Sequence, residues 1–115
     1  MINVKTEALV DCLRHIGVNS EIIARTVRAV LMMNTDPIVC PFHHPLQDQL
    51  LTLCEDCGMH RTGTLPNYDE LLVHVGDVCS TLFAASNRYR EHRINDRADL
   101  VLDAANGISL TIAYA

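Results

Sequence analysis

The stretch PNYDELLVHVGDVCSTLFAASNRYREHRINDR, residues 66–97, decides the fold class. Pro66-Asn67 signals a helix start, and Asp69 and Glu70 follow in the first turn, where the positive end of the helix dipole favours carboxylates. Leu71, Val75, Val78 and Leu82 then recur every three or four residues, flanked by Leu72, Cys79 and Phe83. That spacing gives a helix with one buried face. Carried past Ser86 at about 100° per residue, the same face would present Arg90, Arg93 and Arg97. Either the helix breaks, near Ser86-Asn87 or at Asn95, or it runs beyond the core and offers arginines to something anionic.

The flanks extend the helical pattern. Downstream, Asn95 and Asp96 read as caps of a fourth helix, with Ala98, Val101, Leu102 and Ala105 facing inward and Asn106-Gly107 ending it. In the tail, residues 108–115, Ile108, Leu110, Ile112 and Tyr114 alternate with Ser109, Thr111 and Ala113. This predicts a half-buried strand, which needs an edge to pair with, in this chain or in the second subunit of a homodimer. Upstream, Leu9, Leu13 and Ile16 mark a helix over residues 6–16, with Thr6 as its cap and Gly17 past its end. Asn19 and Ser20 open the next helix, on Ile23, Val27, Val30 and Leu31, which stops near Asn34 because Asp36-Pro37 disfavours helix.

Between the helical halves lies VCPFHHPLQDQLLTLCEDCGMHRT, residues 39–62. Cys40 and His43 form one C-x2-H pair, and Cys54 and Cys57 a C-x2-C pair. Four such ligands at this spacing suit one tetrahedral Zn2+ gripped by two backbone knuckles, with His44 and His60 as alternates for the fourth position. Ile38-Val39 and the 50–53 segment read as short β-like pieces leading into the knuckles of a zinc ribbon, residues 38–65. A shell of four protein ligands leaves no open position for water or substrate, so the expected metal is structural.

Two families share parts of this stretch. The CPFH segment with its C-x2-C-G knuckle resembles the zinc ribbon of bacterial and phage primases over about 20 residues, which implies single-strand template binding. His44-Pro45-Leu46 with the following cysteine knuckle resembles HNH endonucleases, whose histidine base would map onto His43 or His44. Gln49 stands where that family carries asparagine, and Gly58 where a histidine follows the second cysteine. Separately, residues 9–28 resemble a helix-turn-helix with Gly17 in the turn, which implies a recognition helix offering Arg25 and Arg28 to nucleic acid. The same residues also read as a plain helical hairpin in which a C-cap is followed by an N-cap.

Composition narrows the rest. Of 115 residues 49% are hydrophobic and 20% charged, which excludes a disordered chain. A net charge of −5 argues against a surface that coats nucleic acid or anionic lipid indiscriminately. No apolar run approaches the roughly 20 residues of a membrane span, and no secretory signal opens the chain, so a cytoplasmic protein is expected. Three of the five cysteines belong to the metal motif; Cys12 and Cys79 sit in apolar helical patterns as small buried hydrophobes. No residue has the context of a catalytic nucleophile.

The expectation is thus one domain over residues 1–115, mostly α, with about four helices (hairpin 6–34, helical part 67–106), an inserted zinc ribbon and a C-terminal strand. Its size and acidity resemble those of small accessory proteins of phages and mobile elements. The expected function is regulatory or inhibitory binding of a protein partner through Tyr89, Arg90, Arg93 and Arg97, with nucleic acid as the alternative target.

Overall fold

The computed structural model describes residues 4–33, 35–39 and 68–114, and every regular element among them is helical. In chain order they form α1 (Val4–His15), α2 (Ser20–Met33), a short 3-10 turn (Pro37–Val39), α3 (Tyr68–Glu91) and α4 (Asn95–Ala113). Among the described residues the expectation of four helices holds. None among the described residues is long and apolar enough to cross a membrane.

Local chemistry sets the ends. α1 begins at Val4, ahead of the predicted Thr6 cap, and closes on Gly17, whose φ of +90° only glycine adopts without strain. There Val18 N–H bonds Leu13 C=O at 2.9 Å and Gly17 N–H bonds Arg14 C=O at 3.1 Å, with Leu13 and Val18 both buried. This pairing of hydrogen bonds with an apolar contact is the Schellman stop. Asn19 Oδ1 then accepts the Glu21 N–H at 2.7 Å and caps α2. After α2 the Asp36 carboxylate accepts the Ile38 N–H at 3.1 Å, and with Pro37 it winds the chain into a 3-10 turn instead of the short β-like piece expected at Ile38-Val39.

α3 runs straight through Ser86-Asn87 and ends at Glu91. Arg93, at φ 60°, takes the left-handed position that Gly17 takes after α1, and Ile94 N–H returns to Tyr89 C=O at 3.0 Å. Of the two breaks considered in the sequence, the later one is therefore near the mark. The N-cap residue of α4 is Ile94, without a side-chain cap, so Asn95 and Asp96 are first-turn residues instead of caps.

The C-terminal strand is corrected. Helix α4 continues through Asn106-Gly107 to Ala113. The alternation in 108–114 is also a pair of i, i+4 couples: Ile108 and Ile112 continue the inward face of Val101 and Ala105, while Leu110 and Tyr114 point outward. Gly107 is kept for its size. A Cβ there would lie 2.6 to 2.9 Å from three atoms of the Ile22 side chain, so its absence lets α4 lie directly on α2.

α3 and α4 form an antiparallel hairpin whose backbones approach through small residues. Cys79 Sγ donates to Ala105 C=O at 3.1 Å, and Ser86 Oγ to Ala98 C=O at 2.8 Å, a seven-residue step along each helix in opposite directions. Burial pushes the Cys79 thiol above its ordinary pKa, which keeps it a neutral donor. Leu9, Leu13, Val30, Val39, Val75, Leu82, Val101 and Ile108 belong to one hydrophobic cluster, so both helical halves share a core. A His15–Tyr68 edge-to-face contact, with centroids 6.1 Å apart, ties the end of α1 to the start of α3.

The Gly107 contact makes a signed prediction. Alanine gains about 1 kcal/mol over glycine in a helix interior, but overpacking against a β-branched side chain costs about 1 to 3 kcal/mol. Gly107→Ala is expected to destabilise in the native background and to stabilise when Ile22→Ala has cleared the space. A double-mutant cycle in urea reads both signs.

Candidate functional site

The most developed polar site is built where α2 gives way to the 3-10 turn. Asp36 comes from that junction, Tyr89 from the last turns of α3 and Arg97 from the first turn of α4. Tyr89 is fully buried, and its OH donates to Asp36 Oδ2 at 3.1 Å. The Arg97 guanidinium donates to the same oxygen, while Ile38 N–H takes the other. Arg88 adds a fourth tie, Nε to the Ile38 carbonyl at 3.3 Å. A recess of about 190 Å³ opens beside the cluster, lined by Met32, Thr35, Asp36, Pro37 and Arg97.

Electrostatics follow from this geometry. Burial alone would push the Asp36 carboxyl up, but the Ile38 N–H, the Tyr89 hydroxyl and Arg97 together outweigh it and hold it below its ordinary value. The Tyr89 hydroxyl is driven upward by burial and then by its bond to the Asp36 anion. Asp36 is thus an ionised, fully engaged carboxylate, an anchor without free acid or base capacity.

Of the residues predicted to meet a partner, Arg97 and Tyr89 hold this anchor, Arg90 is engaged elsewhere and Arg93 is exposed at the turn after α3; Arg88 is not among them. Arg90 bonds Asp99 at 3.0 Å, Arg88 lies 3.5 Å from Glu91, and Arg97 holds Asp36. Tyr89 shapes the corner from inside. Arg90, His92 and Arg93 are exposed, and Arg97 is half-exposed.

On the other half, Arg25 pairs with Glu21 at 2.7 Å, and Arg28 is exposed one turn further along α2. Thr26 is buried, its hydroxyl donating to Ile22 C=O at 2.8 Å, so it satisfies itself on the core face. Between α1 and α2 runs an open, mainly apolar groove of about 350 Å³, lined by Val10, Arg14, Ser20, Ile23, Ala24 and Val27.

Cys40, His43, Cys54 and Cys57, with the alternates His44 and His60, lie outside the described residues. Among the described residues no group of three or more His, Cys, Asp or Glu side chains is arranged to hold a metal. Sequence reasoning missed Asp36 as more than a turn residue. Its Asp-Pro context flags the turn, but its partners lie 53 and 61 residues away, beyond any local pattern.

Comparison with family models, curated proteins and solved structures finds no match for this chain.

Proposed function

We propose that this chain is a non-enzymatic regulatory protein of inhibitory type, stabilised by a structural Zn2+, that acts by binding a protein partner. The metal would be held by Cys40, Cys54, Cys57 and one of His43, His44 or His60, a closed shell that leaves the chemistry to the partner.

The observation that carries the choice of partner is charge neutralisation. Of the seven arginines among the described residues, five (Arg14, Arg25, Arg88, Arg90 and Arg97) already face a carboxylate of this chain within 4.0 Å. Binding a nucleic-acid backbone draws its affinity from cations that neutralise phosphates and release counterions. Arginines held by Asp and Glu have little to give there, whereas a surface of mixed sign suits a protein.

The test compares the two targets directly. Binding to duplex DNA, followed by fluorescence anisotropy between about 50 and 200 mM salt, is expected to be weak and unchanged in an Arg25→Ala, Arg28→Ala double variant. Tight binding that falls steeply with salt and disappears in that variant would replace this reading with a helix-turn-helix regulator.

A further inference from the structure

We infer that the outer face of the α3–α4 hairpin is the docking surface, and that it receives a basic amphipathic helix of a protein partner. This deepens the proposed function and rests on it. On α3 Val73 and Ser80 are exposed with half-buried Gly76 between them, and on α4 Asp99, Asp103, Asn106 and Leu110 are exposed, at the three- and four-residue steps of one helix face. The Arg90–Asp99 pair bridges the ends of the two strips and sets them on the same side of the hairpin.

Register brings the apolar members together. Cys79 bonds Ala105, and Val73 lies six residues before the first as Leu110 lies five after the second, so the two stand at nearly one level. Val73 is 63% exposed and Leu110 58%, with Tyr114 a turn beyond at 87%. A Cβ on Gly76 would meet nothing within 4 Å, which leaves the space beside Val73 open to an incoming side chain.

Charge selects the occupant. Within residues 68–87 and 98–114, which contain no lysine or arginine, Asp77 on α3 and Asp103 on α4 stand exposed beside this face. Exposed apolar side chains with Asp77 and Asp103 beside them complement a helix with apolar residues on one face and Lys or Arg next to them. A second copy of this chain would bring acid against acid, and nucleic acid or an anionic membrane would be repelled.

The experiment uses the full chain and three synthetic 18-residue peptides: leucine at helical i, i+3, i+4 spacing with lysine elsewhere, the same with glutamate for lysine, and a scrambled Leu/Lys control. The patterned lysine peptide is expected to bind saturably, and the other two far more weakly. Val73→Ser with Leu110→Ser, both at exposed positions, should keep the melting temperature yet weaken binding at least about tenfold. Asp77→Asn with Asp103→Asn should weaken it and flatten its salt dependence. Amide exchange should show protection on α3 and α4.

Equal binding of the glutamate peptide, indifference to both double variants, or protection on the α1–α2 groove or the arginine corner would each overturn the inference. So would a dimer in sedimentation that Val73→Ser, Leu110→Ser dissociates, since the face would then be a self-interface. In these cases partner binding elsewhere on the chain survives. Only tight, salt-sensitive DNA binding through Arg25 and Arg28 removes the broader reading.

Discussion

Asp36→Ala is expected to unfold this protein more readily than any other single polar substitution among its described residues, by about 2 to 4 kcal/mol. The substitution removes one carboxylate and strands three donors. Tyr89 is fully buried, and a buried donor left unsatisfied costs about 1 to 3 kcal/mol. Arg97 is 45% exposed and can rehydrate, so its loss adds less than a buried ion pair would. Ile38 N–H loses the turn that aims Val39 into the core. At roughly 4 °C per kcal/mol for a chain of this size, the melting temperature should fall by about 8 to 16 °C. Tyr89→Phe, which keeps the ring and removes the hydroxyl, should cost only about 1 kcal/mol.

The same site gives a pH dependence of defined sign. The folded carboxyl sits below its unfolded value, so its stabilising contribution is fully present above about pH 4 to 5 and is lost as pH falls through the folded value. Asp36→Asn should be less stable than the native chain at neutral pH and converge on it in acid. Thermal melts between about pH 3 and 7 read this. A constant gap at every pH would mean that the carboxylate's charge does nothing for the fold.

The contrast between Asp36 and the helices shows what kind of information the sequence holds. α2 and α3 are legible because each apolar stripe repeats locally, and the stop at Gly17 because a left-handed position leaves glycine as the unstrained residue. The same backbone need recurs at Arg93, where the chain meets it with a strained residue, so the identical turn is invisible in composition. Alternation in 108–114 satisfies two periods at once, and the helical one places Ile108 and Ile112 on a core assembled from distant helices. The anchor needs Asp36, Tyr89 and Arg97 from three elements, so no window short enough to show periodicity contains it. The arginines were legible as a cluster; that most are neutralised by their own chain depended on which carboxylates the fold brings near.

Metal content carries the other large effect. The purified chain is expected to hold one Zn2+ by elemental analysis, with Cys54→Ser or Cys57→Ser abolishing it and the His43→Ala, His44→Ala and His60→Ala series naming the fourth ligand by which variant loses the ion. Apparent binding energies of about 10 to 16 kcal/mol in small zinc modules exceed the whole stability of many domains, so chelation should be a severe perturbation. Where that perturbation falls is set by the helical core. The two halves do not depend on a metal bridge to meet: Gly107 seats on Ile22, His15 on Tyr68, and Asp36 is held by Tyr89 and Arg97. Chelation is therefore expected to release zinc while the far-UV circular dichroism keeps most of its helical signal. If the helices melt with the metal, the zinc fastens the two halves, and the shared core is too weak to hold them. If the purified chain carries no stoichiometric zinc, the C-x2-H and C-x2-C pairs are not a metal site, and the proposed function loses its stabilising ion while the docking face on α3 and α4 stands or falls on its own test.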